Sequence, residues 1–196
     1  DNKVNYSENG IYLTYSSTVY NNVINNEIDN SSNYGMATEH GSSHNLWLNN
    51  RVSWSNNTGM FLEAQEKGVP RFDVIENNTI IMKGGTGYGL RISNERGGTE
   101  NRRESNYFEI RNNTIANAYR GIYLRYAENN TIINNSISNC VYGVEASVSS
   151  NDSIINCTMS NVSTHYKLSG SNLTILNSTF DEERVVFEDA NSILWV

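Results

Sequence analysis

A short phrase built around asparagine recurs seven times along this chain. The recurring residues are Asn25, Asn49, Asn77, Asn112, Asn134, Asn156 and Asn177. The steps between them are 24, 28, 35, 22, 22 and 21 residues, so the shortest unit has about 22 residues and the central units are longer. A repeat of this length is typical of a solenoid, in which each unit is stabilised by stacking on its neighbours.

Each unit also carries four apolar positions. One column lies two residues before the asparagine and comprises Val23, Trp47, Ile75, Ile110, Ile132, Ile154 and Ile175. A second lies three residues after it and comprises Ile28, Val52, Ile80, Ile115, Ile137, Met159 and Phe180. Two more lie two residues apart, as in Gly121-Ile122-Tyr123-Leu124. Apolar residues spaced by two indicate strands, and the spacing of an amphipathic helix is not sustained anywhere.

The repeat therefore predicts an all-β fold, a single-stranded parallel β-helix of about seven to eight coils, each with three short strands. Stacked coils would place each column above itself at the strand spacing of ~4.8 Å. We expect the repeated Asn to take a left-handed conformation at a corner and to bond the equivalent Asn of the next coil. These seven residues are thus predicted to form a structural ladder and not a site.

Length and ends predict one domain over residues 1–196, cut from a longer precursor because the chain begins inside the pattern. Residues 181–196, which end in Ile193-Leu194-Trp195-Val196, are expected to be a terminal coil or a capping segment. The net charge of −7, without a basic stripe, argues against a nucleic-acid partner. The sequence has no apolar run near the ~20 residues of a membrane span.

Insertions distinguish one side of the predicted solenoid. They fall at 65–72, at 84–87 and at 94–107, and all three border the strand column of the Gly-Ile-Tyr-Leu phrase. Long loops on both sides of one strand column would form a groove, and functional residues concentrate on such loops. The alternative is surface elaboration without a function.

The outward residues of that strand column follow from alternation. One row reads Tyr12, Ala37, Phe61, Arg91, Tyr123, Glu145 and Lys167, and its neighbour reads Thr14, Glu39, Glu63, Ser93, Arg125, Ser147 and Ser169. Aromatic rings stack on sugar faces, guanidinium groups pair with uronate carboxylates, and carboxylic acids transfer protons. The column therefore suits an acidic polysaccharide, with Arg91, Arg125, Tyr12, Tyr123 and Phe61 as predicted binding residues.

Glu39 and Glu63 are the predicted catalytic pair. They occupy equivalent positions one coil apart, hence ~5 Å from each other by the strand spacing. That separation suits a retaining glycosidase better than an inverting one. The alternative is that Arg91 or Arg125 neutralises both acids in a surface network.

Four further residues are candidate substrate ligands. His40 and His44 adjoin the end of the second strand of the column, and Arg102 and Arg103 lie in the largest insertion. A surface turn and a solvated charge run are the alternative explanations. We expect no metal and no cofactor, because the column contains no Asp and no metal-ligand spacing occurs.

The phrases at 121–126 (GIYLRY) and 129–139 (NNTIINNSISN) resemble the right-handed parallel β-helix repeats of secreted carbohydrate-binding and sugar-hydrolysing proteins with the pectin-lyase-like fold. The segment at 44–66 is similar to the domain of archaeal disaggregatases. That resemblance implies an archaeal surface or secreted protein acting on the acidic heteropolysaccharide that binds cells together.

Two classes of function remain open from the sequence. The first is a carbohydrate-active groove that binds, and in the catalytic case cleaves, an acidic envelope polysaccharide. Cleavage would be hydrolysis by the carboxylate pair or, as a variant, metal-independent elimination by Tyr123 with Arg91. The second is a non-catalytic surface module, a rigid spacer or adhesive domain. The insertions beside a single strand column favour the first.

Overall fold

The computed structural model describes residues 2–14, 19–39, 42–63, 72–93, 104–105 and 107–196. Within these ranges the chain forms short β-strands and a single turn of 3₁₀ helix, Glu182–Arg184. The strands pair in parallel, each with its counterpart in the coils before and after it. The predicted β-solenoid is therefore confirmed. None of the described residues belongs to a helix long and apolar enough to cross a membrane.

The first sheet contains one short strand from each coil. Its strands are β3 (Asn22–Ile24), β6 (Leu46–Leu48), β9 (Val74–Glu76), β13 (Glu109–Arg111), β17 (Thr131–Ile133), β19 (Asp152–Ile155), β21 (Asn172–Leu176) and β23 (Ile193–Trp195). The predicted column two residues before the asparagine points inward from this sheet. From Trp47 to Ile154 its side chains are fully buried.

The second and third sheets follow the first in each coil. The second comprises β1 (Lys3–Asn5), β4 (Glu27–Asp29), β7 (Arg51–Ser55), β10 (Thr79–Met82), β14 (Thr114–Ala116) and the first halves of β18 (Ser136–Ser147) and β20 (Thr158–Ser169). The third comprises β2 (Asn9–Thr14), β5 (Tyr34–Glu39), β8 (Thr58–Glu63), β11 (Tyr88–Ser93), β15 (Arg120–Arg125), the second halves of β18 and β20, and β22 (Val185–Phe187). β12 (Glu104–Ser105) pairs with β16 (Ala127–Glu128) apart from these sheets.

At the corner between the first and second sheets, two successive residues share the two roles that the sequence predicts for one: the left-handed turn and the stacked amide hydrogen bonds. Asn25, Asn49, Asn77, Asn112, Asn134, Asn156 and Asn177 are all left-handed, with φ between 49° and 57°. The stacked hydrogen bonds belong instead to the next residue, in the series Asn26, Asn50, Asn78, Asn113 and Asn135. The left-handed backbone turns the first side chain to solvent and the second into the solenoid, so the predicted ladder is displaced by one position.

A second inward ladder lies at the corner before the first sheet. Asn21 donates to Asn45, and Asn45 donates to Asp73. The next coil has Phe108 at this position, after which Asn130 donates to Asp152. Leu173 pairs with Asp152 in the following coil. Asp73 and Asp152 each precede a coil whose residue at this corner, Phe108 or Leu173, has no side-chain acceptor. A carboxyl group suits this place because, unlike asparagine, it has no amide N–H groups that need an acceptor in the next coil.

The glycine that precedes the third-sheet core columns is required by a close approach of two coils. A Cβ on Gly89 would lie 2.3 Å from Cγ2 of Ile115 and 2.7 Å from the carbonyl oxygen of Gly121. The Ile side chain of the second sheet therefore occupies the space that a larger residue would need. Cys140 and Cys157 are also inward and buried, and both are free thiols.

Candidate functional site

The outer surface of the third sheet carries the residue types that the sequence singled out, in the predicted register. The central row pairs Tyr12 with Ala37, Phe61 with Arg91, and Arg91 with Tyr123. The downstream row pairs Thr14 with Glu39, and Ser93 with both Glu63 and Arg125. Thr38 pairs with Leu62, which places Glu39 and Glu63 on adjacent rungs. The alternation proposed for this strand column is thus correct.

A third outward row lies upstream of these two and was missed in the sequence. It comprises Asn9, Tyr34, Thr58, Tyr88, Arg120, Tyr142 and Thr164. Each of these residues comes two positions before the third core column and, in most coils, directly before the column glycine. That glycine is the signal in the sequence by which the row could have been found.

Arg91 is held between two aromatic rings. Its guanidinium carbon lies 5.1 Å from the centroid of the Phe61 ring and 4.8 Å from that of Tyr88. Tyr34, which belongs to the same upstream row as Tyr88, stacks on Phe61 with the two ring centroids 5.0 Å apart. These cation–π contacts fix the guanidinium in one place with little freedom. The central row is buried at Ala37, Phe61 and Arg91, whereas the sequence predicts an open groove at this place.

Arg120 lies among four tyrosine rings. Its guanidinium carbon is 4.9 to 5.8 Å from the ring centroids of Tyr88, Tyr119, Tyr123 and Tyr142. Its Nε donates to Oε2 of the buried Glu145. Burial alone would lower the pKa of Arg120, but the bond to Glu145 and the charge of that carboxylate outweigh it and raise the pKa. This cation is permanently charged and rigidly positioned.

Glu145 connects Arg120 to a second cation. Nζ of Lys167 lies 3.5 Å from Oε1 of Glu145 and 2.8 Å from Oε1 of Glu188. It also lies 4.9 Å from the centroid of the Tyr142 ring. In the coils of Arg120, Glu145 and Lys167, cations, a carboxylate and aromatic rings from the upstream and central rows therefore contact one another.

Tyr12 and Glu39 are in contact at the other end of the row. The Tyr12 hydroxyl donates to Oε2 of Glu39. The pKa of Tyr12 is raised, first by its partial burial and then by this bond to a carboxylate. Glu39 and Glu63 are both buried, although they point away from the core. The structure thus gives one member of the predicted catalytic pair a fixed donor.

Tyr123 and Arg125 occupy the coil after Arg91. The ring of Tyr123 stacks on Tyr88 at 5.2 Å, and its pKa is raised chiefly by burial. The guanidinium carbon of Arg125 lies 5.3 Å from the ring centroid of Tyr126. The predicted binding residues of the two rows therefore lie on successive coils of the third sheet, with Phe61 and Arg91 buried and Tyr12 exposed.

The remaining candidates lie elsewhere or outside the described residues. His44 is at the corner before the first sheet, in an exposed column of neighbouring rings with Tyr20, Phe72 and Tyr107. Its Nδ1 is 3.0 Å from Oγ of Ser43. His40, Arg102 and Arg103, with most of the insertions at 65–72 and 94–107, lie outside the described residues. The insertion at 84–87 is described and contains three glycines with positive φ.

Comparison with known proteins identifies the family. A model described as "Right handed beta helix region" matches residues 75–193, and one described as "Periplasmic copper-binding protein (NosD)" matches residues 1–108. Each covers more than half of the chain. No match was found among curated proteins or among solved structures. The chain belongs to the right-handed β-helix family and to the NosD family, whose models overlap within the same solenoid.

Proposed function

We propose that this is a carbohydrate-binding β-helix domain of an exported, cell-surface protein, which binds an acidic envelope polysaccharide along the outer surface of the third sheet. The observation that carries the proposal is the guanidinium of Arg91, held between Phe61 and Tyr88 one rung from Tyr123. A guanidinium held rigidly in one place suits the carboxylate of a uronic acid, which it can pair with through two parallel hydrogen bonds.

The distribution of charge supports an acidic ligand. The chain as a whole has a net charge of −7, yet Arg91, Arg120 and Arg125 lie in two adjacent coils of one face. Arginine is suited to this role because its planar fork binds carboxylates in two places and remains charged at any physiological pH. A polyuronate chain lying along the solenoid axis would meet these cations in succession.

Cleavage is the catalytic form of the same proposal. Adjacent rungs place Glu39 and Glu63 about 5 Å apart at the backbone, which suits a retaining mechanism. The Tyr12 hydroxyl donates to Oε2 of Glu39 and holds that carboxyl group in place. Glu39 would then act as nucleophile, and Glu63 would protonate the leaving oxygen. Metal-independent elimination by Tyr123 with Arg91 is the less favoured variant.

Copper has no part in this proposal. The NosD family is described as a periplasmic copper-binding protein, which implies a cluster of copper ligands. Across the ranges that the structure describes, no group of three or more His, Cys, Asp and Glu side chains could hold a metal ion. The described residues therefore do not fit a copper centre.

A structural surface module is the second candidate, and one observation favours it. Glu145 is engaged by both Arg120 and Lys167, and Glu39 by Tyr12, so much of the polar row is satisfied within the chain. Such a row would stiffen a spacer or adhesive domain without binding a sugar. The archaeal disaggregatase-like role belongs to the first candidate only.

Product analysis separates these functions. The domain is incubated with acidic polysaccharides, beginning with polygalacturonate, while new reducing ends and the absorbance of unsaturated uronate are followed. Hydrolysis gives ends without the unsaturated product, elimination gives both, and a module without activity gives neither. For hydrolysis, Glu63→Gln is expected to lower turnover by more than about 100-fold while binding persists, because an amide cannot transfer the proton. Wild-type turnover in Glu63→Gln would exclude the carboxylate mechanism.

A further inference from the structure

The corner between the second and third sheets holds one left-handed residue in most coils. Asparagine fills it in four of them, at Asn30, Asn117, Asn139 and Asn161, with φ between 52° and 61°. The pairing of Asn5 with Asp29 and of Asp29 with Ser53 makes Tyr6, Asn30 and Trp54 the three successive residues of this column. Tyr6 and Trp54 have φ of 54° and 63°. Tyr6 and Trp54 thus occupy a left-handed position that asparagine fills in the other coils.

Bulky residues adopt this conformation at a cost that asparagine largely avoids. An exposed ring retained under such strain points to a role outside the fold. Tyr6 is 84% exposed and Trp54 is 52% exposed. Neither side chain has a hydrogen bond or a ring partner in the described part of the chain.

Tyr6 and Trp54 differ from the other exposed aromatic column because no ring of the described residues contacts either of them. Tyr20, His44, Phe72 and Tyr107 follow one another with ring centroids 4.9 to 5.1 Å apart, tilted on both sides of His44 and stacked between Phe72 and Tyr107. Each inner ring of that column therefore already has a ring on either side. Tyr6 and Trp54 are separated by the rung of Asn30, hence by about 10 Å along the solenoid. Two flat faces at that separation can each contact a sugar in an extended chain, with one sugar between them.

The surroundings indicate a neutral ligand. Strands β1, β4 and β7 present two cations, Lys3 and Arg51, and two anions, Glu27 and Asp29. Lys3 pairs with Glu27 at 3.3 Å. Asn5, Asp29 and Ser53 directly precede the three corner residues, and Nδ2 of Asn30 donates to Oδ2 of Asp29 at 2.9 Å. These groups can exchange hydrogen bonds with sugar hydroxyls, whereas the carboxylate of Asp29 would repel an anionic polymer. Two isolated rings among polar side chains do not form the continuous apolar patch that a protein partner would need.

We propose that Tyr6 and Trp54 form a carbohydrate-binding site for a neutral, extended polysaccharide, with each ring stacked on the apolar face of one sugar. This site goes beyond the proposed function, because it concerns another part of the surface and an uncharged ligand. It would attach the domain to a neutral glycan while the third sheet holds an acidic one.

Binding of cellohexaose, measured by calorimetry on the whole domain, tests the site. Trp54→Asn places the usual residue of this corner in the same backbone conformation, so the melting temperature is expected to be equal or higher. Affinity is expected to fall roughly five- to tenfold, and by a similar factor in Tyr6→Asn. Trp54→Phe, which keeps a ring, should retain most of the affinity. Trp195→Phe is the matched control at an exposed tryptophan elsewhere.

The outcomes are separable from those at the third sheet. Cellohexaose binding should be insensitive to salt and unchanged in Arg91→Ala. Equal affinity in Trp54→Asn and wild type, or no binding of cellohexaose or hydroxyethyl cellulose by the wild type, would overturn the proposal. Self-association lost in Trp54→Asn, without sugar binding, would also overturn it and identify a contact between copies of the chain.

Discussion

The hydroxyl oxygen of Ser149 lies 2.7 Å from Oδ2 of Asp152, in the buried ladder before the first sheet. The same hydroxyl lies 2.7 Å from the carbonyl oxygen of Ala127, which can only accept. One hydroxyl proton cannot serve both contacts. A protonated Asp152 resolves the conflict by donating to Ser149, and burial raises the pKa of Asp152 to about 7.

Asp152 is expected to make stability depend on pH. Its pKa is raised in the folded state, so the unfolded chain loses this proton near pH 4, whereas the folded chain keeps it until about pH 7. This contribution is complete below pH 4 and is lost as pH rises to 7, by up to about 4 kcal/mol. Asp152→Asn should remove this part of the pH dependence, because an amide accepts from Asn130 and donates to Ser149 without titrating.

Urea unfolding of both proteins at pH 5 and pH 8 measures the effect. Every other carboxyl group is common to the two proteins, so their difference reports Asp152 alone. The stability gap between them should change by a few kcal/mol across this range, in favour of Asp152→Asn at the higher pH. An identical pH dependence would show that Asp152 is ionised throughout.

Two adjacent isoleucines test the strand register. Ile132 is fully buried in the first sheet, and Ile133 points outward and is half-buried. Ile132→Asp would bury an unpaired carboxylate and should cost more than about 3 kcal/mol, enough to unfold a domain of ordinary stability. Ile133→Asp should be tolerated far better. Thermal melting compares the two, and equal damage would be incompatible with this register.

The asparagine ladder gives a similar pair of variants. Nδ2 of Asn113 donates to the carbonyl of Ile75 at 2.9 Å and to Oδ1 of Asn135 at 3.0 Å, while its Oδ1 accepts from Asn78. Asn113→Ala leaves several buried groups without a partner and should cost about 3 kcal/mol or more. The neighbouring Asn112 is exposed with φ of 57°, which glycine adopts freely. In urea unfolding, the stability of Asn112→Gly should therefore stay within about 1 kcal/mol of wild type. A greater loss in Asn112→Gly than in Asn113→Ala would show that the ladder is formed by Asn112 and not by Asn113.

The fold follows from the sequence because its repeat is visible at every core position. Ile75, Ile80 and Ile122, one from each of three predicted core columns, are fully buried. The ladder was placed one residue early because a repeated Asn explains both a left-handed turn and a stacked amide. Only the backbone shows that Asn77 takes the first role and Asn78 the second.

The candidate site was less accessible to sequence reasoning. Alternation places Arg91 on the outer surface, and register confirms it. It is buried between Phe61 and Tyr88, and Tyr88 belongs to a row that the apolar repeat does not mark. Side chains that cover one another across coils leave no periodic signal, because each contact depends on which large residue happens to lie one rung away.

The most direct test of the proposed function is the affinity of an acidic polysaccharide for Arg91→Ala as a function of salt. Polygalacturonate binding is measured by calorimetry for wild type, Arg91→Ala and Arg111→Ala, which removes one cation from the outer surface of the first sheet. In Arg91→Ala, loss of a charge-assisted contact is expected to weaken binding roughly tenfold or more and to reduce its dependence on salt. Arg111→Ala is expected to bind like wild type. Unchanged affinity and salt dependence in Arg91→Ala would place the polysaccharide away from the third sheet and contradict the proposal.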